Sequence, residues 1–216
     1  MSSPDSGETL NSDDLDLLQE IMNIAFGRAA SDLAEFIDLF VVLSVPRIKL
    51  ISKNEVITTL FSELSDLNTN ASVVRQEFWG DLNGSAVLFF PAETENELIS
   101  IMGNSDLDVE FDEISTSLAQ ESLLELGNIL IGACSGKIAE LLETHISYSP
   151  PFASVNEPVQ DAFERMGFDD SDHILVLKTS FTFEGRDRSG ILLIAEQKES
   201  FTWIKQALEK FMAQYE

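Results

Sequence analysis

Apolar residues at Leu18, Ile21, Met22, Ala25, Ala29, Leu33 and Phe36 recur every three or four positions, the spacing of a helix that buries one stripe. The opposite stripe carries Asp16, Glu20, Asn23 and Gly27. The same succession returns further along as Glu121, Glu125, Asn128 and Gly132. There Leu123, Leu130, Cys134 and Leu141 take the buried places of Leu18, Ala25, Ala29 and Phe36. Two long amphipathic helices are therefore predicted, one capped by Ser12 and running to about Phe40, the other from about Ser117 to Glu143.

Between and after them the pattern changes period. Alternation predicts a strand over Val45 to Ser52, with Pro46 near its start, and helical spacing returns at Val56, Leu60, Phe61 and Leu64, within Asn54 to Asp66. Ser72 to Trp79 and Ser85 to Pro91 read as a hairpin through Gly80-Asp81-Leu82-Asn83-Gly84. Its second strand, apolar on both faces from Ala86 to Phe90, should be central and covered. A short helix over Glu93 to Met102 closes the first half. The second half supplies a strand through His145 to Val155, a short helix near Val159 to Arg165 and a hairpin over Ile174 to Phe183 and Gly190 to Ala195. A final helix has Phe201, Ile204, Leu208, Phe211 and Met212 on one face.

The halves are in register. Glu125, Asn128, Gly132, Ala139, Pro151, Gly185 and Leu193 each lie 105 residues after Glu20, Asn23, Gly27, Ala34, Pro46, Gly80 and Leu88. Two copies of helix, strand, helix, hairpin, helix, with no Pro-, Gly- or Ser-rich spacer between them, predict one domain over 13–216. Its repeats would span about 13–103 and 117–214, after an acidic, disordered tail at 1–12. The expected class is α/β (α+β): a duplicated, pseudo-twofold chain with one mostly antiparallel sheet. The two long helices would lie side by side on it, polar stripes outward, with smaller helices at the periphery.

Charge narrows the functional classes. Among 216 residues, 38 acidic side chains face 13 basic ones, a formal net charge of −25. Affinity for phosphate backbones or anionic lipid rests on Lys and Arg, so neither nucleic acid nor a membrane is an expected partner. No apolar run is long enough to cross a bilayer and Met1 to Ser12 lacks the pattern of a signal segment, so a cytoplasmic location is expected. The single cysteine, Cys134, sits on a buried stripe and reads as a small core residue. His145 and His173 lack Cys or His partners at zinc-ligand spacing and read as strand-edge residues. A phosphate loop of the G-x-x-x-x-G-K type and a G-x-S-x-G elbow are both missing.

Glu and Asn on the outer face of one helix are ordinarily solvated surface. Here Glu-x-x-Asn occurs twice, each Asn is followed by Gly one turn later, and each is followed by Pro after 22 intervening residues. Glycine in a helix interior costs about 1 kcal/mol relative to Ala, so its presence at both places points to close approach of another backbone. That backbone belongs either to a neighbouring element of this chain or to a partner protein.

The doubled pattern Asp/Ser-x3-Glu-x2-Asn-x22-Pro resembles that of the CheC/CheX/FliY chemotaxis phosphatases, and within them the CheC-like members, in which both copies hold Glu and Asn. Asp16, Glu20, Asn23 and Pro46 fit throughout; Glu121, Glu125, Asn128 and Pro151 depart only at Glu121. The resemblance covers roughly Leu15 to Gln214. It implies a CheC-like fold and a hydrolase acting on the aspartyl phosphate of a CheY-like response-regulator receiver domain. Glu20 and Glu125 would pair with the receiver's active-site lysine. Asn23 and Asn128 would enter its site and orient the attacking water, with Asp16 and Glu121 in support. Mg²⁺ would belong to the receiver's own acidic pocket, so the chain is expected to carry no cofactor or metal of its own. Family members also bind a CheD-like deamidase. The flagellar switch protein FliM shares the architecture without the Glu-x-x-Asn pair, and a non-catalytic receiver- or CheD-binding module is the alternative.

Overall fold

The structure, a computed structural model, describes residues 10–37, 41–52, 55, 70–91, 113–165, 173–183, 189–196 and 200–213. The helices expected over 54–66 and 93–102 lie outside these residues, Glu55 excepted, as do most of the 1–12 tail, Gly185 and the acidic loop from 104 to 112. The side chains of Phe36 and His173 also lie outside them.

The described elements, in order, are α1 (Ser12–Ile37), β1 (Val41–Leu43), β2 (Arg47–Ser52), β3 (Asn70–Gly80), β4 (Gly84–Pro91), α2 (Glu113–Leu141), β5 (Ile146–Tyr148), β6 (Phe152–Pro158), α3 (Val159–Glu164), β7 (His173–Phe183), β8 (Ser189–Glu196) and α4 (Phe201–Met212). The eight strands form one sheet in the order β1-β7-β8-β4-β3-β5; β2 also pairs with β7 and β6 with β3. Every described pairing is antiparallel.

The topology interleaves the repeats. β1 and β2 of the first half pair with β7 of the second, while their counterparts β5 and β6 pair with β3 of the first. The two hairpins meet where β4 lies against β8, with Leu88 opposite Leu192. Neither repeat completes its own sheet.

Two details of the repeat differ from the expectation. Leu88 and Leu192 both join the core under the long helices, whereas Leu193 joins the core on the other face. The structural counterpart of Leu88 is thus Leu192, because successive strand residues point to opposite faces. At the edges, Arg47 lies opposite Lys178, but its counterpart Phe152 lies opposite Arg75 instead of Val73. This two-residue slip keeps every side chain on its face.

Both faces of the sheet are packed. Leu18, Ile21, Met22, Ala25, Ala29 and Leu33 of α1 lie buried with Leu123, Leu126, Leu130 and Cys134 of α2 over the inner sheet face. Phe89, Val87, Leu193 and Val176 pack on the other face against Val159, Ala162 and Phe163 of α3. Ala86 to Phe89 are fully buried, as expected of a central strand. Burial pushes the Cys134 thiol up to about 12, which leaves it an inert core residue.

Several boundaries shift for identifiable reasons. The N-cap of α1 is Asn11, not Ser12: Asp14 N–H donates to Asn11 Oδ1 (3.0 Å) and Asn11 N–H to Asp14 Oδ2 (2.9 Å), a reciprocal capping box. The polar tail accordingly ends sooner than expected, since Leu10 is buried. The strand expected at Val45 to Ser52 begins at Arg47, behind Pro46, and that expected at His145 to Val155 is split into β5 and β6 by Pro150-Pro151. Proline has no N–H to give to a ladder. α2 ends at Leu141 because Glu143 turns left-handed (φ 51°) and Thr144 N–H closes back on the Ala139 carbonyl. In α4, Met212 lies in the overhanging last turn and is exposed, not buried as its spacing suggested.

Candidate functional site: two exposed Glu-Asn stripes

The inner stripes of α1 and α2 are held by the core, so the outer stripes are fixed in direction. Asp16, Glu20, Asn23 and Gly27 are all exposed on α1, and Glu121, Glu125, Asn128 and Gly132 on α2. All the predicted site residues thus reach solvent, grouped into two stripes.

Ion pairs between the helices define their relation. Lys137 Nζ lies 2.9 Å from Asp32 Oδ2, and Arg28 Nη1 lies 3.9 Å from Glu140 Oε1, so the helices run antiparallel. The Asp32–Lys137 pair joins counterparts of the two repeats and marks the pseudo-twofold axis. Asn23 and Asn128 each precede that pair by nine residues on helices running in opposite directions, which separates them by about 27 Å along the helix axes at 1.5 Å per residue. The two stripes sit at opposite ends of the helix pair.

Each stripe is pinned to a sheet edge by a glutamine absent from the predicted set. Gln19 Nε2 donates to the Pro46 carbonyl, and Ile48 N–H donates to Gln19 Oε1 at 3.1 Å. On α2, Gln120 Nε2 donates to the Ala153 carbonyl at 2.9 Å, and Ala153 is the counterpart of Ile48. The clamps sit one turn apart in the repeat, so subtraction of residue numbers does not find them. The first clamp falls on Pro46 itself, the second two residues beyond Pro151, inside β6.

The glycines do not serve internal packing. A Cβ at Gly27 or Gly132 would meet nothing within 4 Å, whereas one at Gly127 would come within 2.5 Å of Val74 Cγ1. Of the two expectations for the repeated glycines, approach by another element of this chain is therefore not met among the described residues. Gly27→Ala and Gly132→Ala should each raise stability by roughly 0.5–1 kcal/mol, read as higher melting temperatures, since they remove backbone entropy without a clash.

The stripes are convex. Neither the apolar cavity of about 30 Å³ beneath α1, walled by Leu18, Met22, Ile138, Leu142 and Ile204 among others, nor the cleft beside Gln19 is lined by Glu20, Asn23, Glu125 or Asn128. A carboxylate and a carboxamide one turn apart on a rigid convex helix can enter another molecule's pocket, but they do not enclose a small substrate. Ile24, next to Asn23, is 40% exposed and adds an apolar contact to the first stripe. Among the described residues no group of three or more His, Cys, Asp or Glu could hold a metal ion. No helix among them is long and apolar enough to cross a membrane.

A duplicated chain of this topology, with Glu-x-x-Asn on both long helices, defines a class, and comparison with known proteins identifies it. Residues 14–50 match the model of the CheC-like family. The chain is 30% identical over 148 residues to the CheY-P phosphatase CheC of Bacillus subtilis, covering 68% of each protein. The crystal structure of Thermotoga maritima FliY superposes with a TM-score of 0.61 at 22% identity, over 94% of this chain and 99% of that one. CheX in the CheX-CheY-BeF3-Mg complex from Borrelia burgdorferi superposes at 0.52 and 18% identity, over 80% of this chain and 96% of that one. The chain belongs to the CheC/CheX/FliY family.

Proposed function

We propose that this protein hydrolyses the aspartyl phosphate of a CheY-like receiver domain. The observation that carries the reading is the convex, duplicated Glu-Asn stripe, shaped to enter a partner's pocket. Kinship with a CheY-P phosphatase and the fold shared with CheX, whose complex with CheY is known, support it.

In this mechanism Glu20 or Glu125 pairs with the receiver's lysine and sets the register of docking. Asn23 or Asn128, one turn on, reaches the phosphoryl group. Its carboxamide oxygen accepts from a water and its nitrogen donates, so the water is held for in-line attack without any ionisation of the side chain. The water oxygen bonds to phosphorus as the bond to the aspartyl oxygen breaks, releasing inorganic phosphate and the free carboxylate. Phosphoryl transfer needs positioning more than covalent help, so one well-held water can account for a large acceleration. Mg²⁺ would be brought by the receiver and neutralise phosphoryl charge there. Asp16 and Glu121, one turn earlier, would help to orient the docked partner.

The test is the decay of a phosphorylated CheY-like receiver in Mg²⁺ with and without the protein; acceleration is the expected result. Unchanged decay despite binding would establish instead a receiver-binding module. Within the active protein, Glu20→Ala and Glu125→Ala should mainly raise KM, whereas the Asn variants should mainly lower kcat.

A further inference from the structure

Each stripe ends on a glycine. Gly27 follows Asn23 by four residues, as Gly132 follows Asn128, which is about 6 Å further along each helix at 1.5 Å per residue. Both are exposed, and a Cβ on either would meet nothing within 4 Å among the described residues. Gly127, on the buried side of α2, is a packing glycine by contrast: a Cβ there would come within 2.5 Å of Val74 Cγ1. Gly136 is as open as Gly27, but its counterpart is Ser31 and it lies two turns beyond Asn128. On the two long helices, a glycine is therefore repeated only one turn after a site asparagine.

Helix geometry gives the missing side chain a consequence. Each Cα–Cβ bond tilts toward the helix N-terminus, so a side chain at 27 would lie back over the turn that projects Asn23, and one at 132 over the turn that projects Asn128. A convex helix can place a carboxamide inside another protein's pocket only if the rim of that pocket comes down to the helix on both flanks of the side chain. On the N-terminal flank the rim meets the Glu20 or Glu125 carboxylate. On the C-terminal flank it meets bare backbone at Gly27 or Gly132. Glycine in a helix interior lowers stability, and packing within the described residues does not offset that loss at either position.

We propose that Gly27 and Gly132 are contact residues of the two docking faces: the rim of the receiver's phosphate pocket rests on the helix backbone there, and the missing side chains leave Asn23 and Asn128 clear to enter. This inference rests on the phosphatase reading given above and assigns the C-terminal flank of each site. The two glycines then lower the stability of the fold in favour of docking. Adding a side chain makes the isolated protein more stable and the complex weaker, a pairing of signs that a purely structural glycine does not produce.

The experiment uses full-length single-site variants, Asn128→Ala leaving the first site and Asn23→Ala leaving the second. Gly27→Ala and Gly27→Gln are added to the first protein, Gly132→Ala and Gly132→Gln to the second, and Gly136→Ala to both as a control. Each addition should raise the melting temperature, because Ala and Gln are better helix formers than Gly. In phospho-receiver decay with Mg²⁺, kcat/KM should fall roughly threefold with Ala and tenfold or more with Gln at 27 or 132, since a displacement on the order of 1 Å misplaces the attacking water. Gly136→Ala should leave kcat/KM unchanged. An unchanged kcat/KM in either Gln variant, an equal loss in Gly136→Ala, or a melting temperature that falls together with activity would overturn the proposal. Where a single-site protein does not accelerate decay, the hydrolytic reading fails for that site on its own. The contact is then read from the affinity of the otherwise unchanged protein for the beryllofluoride-loaded receiver: a loss of about tenfold on introducing Gly27→Gln with Gly132→Gln supports it, and undiminished affinity or no binding at all overturns it.

Discussion

Replacing both site asparagines, Asn23→Ala with Asn128→Ala, should return the decay of the phosphorylated receiver to its unassisted rate while the two proteins still bind. Each side chain is exposed and its helix is seated on a core that the substitution does not touch, so folding is unaffected. The loss should appear in kcat, on the order of 10²-fold or more, because a water no longer held in line is the step removed. The single variants then divide the work. The sites lie about 27 Å apart with no shared residue, so their contributions should add in the manner of independent centres. Glu121, where the first stripe has Asp16, tests how far the second site tolerates a longer carboxylate. If the double variant retained full activity, hydrolysis would have to come from residues other than the two stripes.

The second large effect concerns stability. Glu196 closes β8 with its side chain buried, on the wall of the apolar cavity beneath α1. Burial pushes its carboxyl up to about 8, against the smaller opposing pull of hydrogen bonds from Ser200 and the Asn83 N–H, and its Oε2 has no partner among the described residues. Between the ordinary value of 4.5 and about 8, the folded chain therefore holds a proton that the unfolded chain has lost. Stability falls as pH rises through this window and levels off above it. Glu196→Gln keeps the shape and cannot ionise. It should unfold at nearly the wild-type temperature at pH 5 and should be more stable at pH 8.5, by an amount on the order of a few kcal/mol. Thermal melts of both proteins across that range give the answer, and parallel pH profiles would mean that the carboxylate finds a partner or water that the fold does not show. Leu18 and Met22, on the underside of the turn bearing Glu20 and Asn23, share the cavity with Glu196, so the same measurement reports on the footing of the first site.

Much of this was legible in the residue order because two periodicities carry it. A helix pressed on a sheet must keep one stripe apolar, so Leu18 to Leu33 and their counterparts announced which face was buried and left Glu20, Asn23, Glu125 and Asn128 outside. A strand apolar on both faces can only be central, and Ala86 to Phe90 occupy that place. Other features are set by contacts distant in sequence. The pattern alone starts a strand at Val45 and carries another unbroken from His145 to Val155, because proline is tolerated at a strand's first residues; the ladders instead begin behind Pro46 and break at Pro150-Pro151. Ser12 suits an N-cap by residue type, but Asn11 and Asp14 form the reciprocal pair one residue earlier, and Met212 keeps helical spacing beyond the edge of the core it would join.

The sequence by itself determined the duplication, the elements and the outward Glu-Asn stripes, because repeat spacing and amphipathic period are local properties of the chain. Only the tertiary structure decided that each repeat lends its edge strands to the other's sheet, that Leu192 and not Leu193 answers Leu88, and that Gln19 and Gln120 seat the two helices. The physical reason is the same in each case: strand partners, register and clamp contacts depend on backbone hydrogen bonds and packing between segments far apart in the chain, which no local pattern encodes.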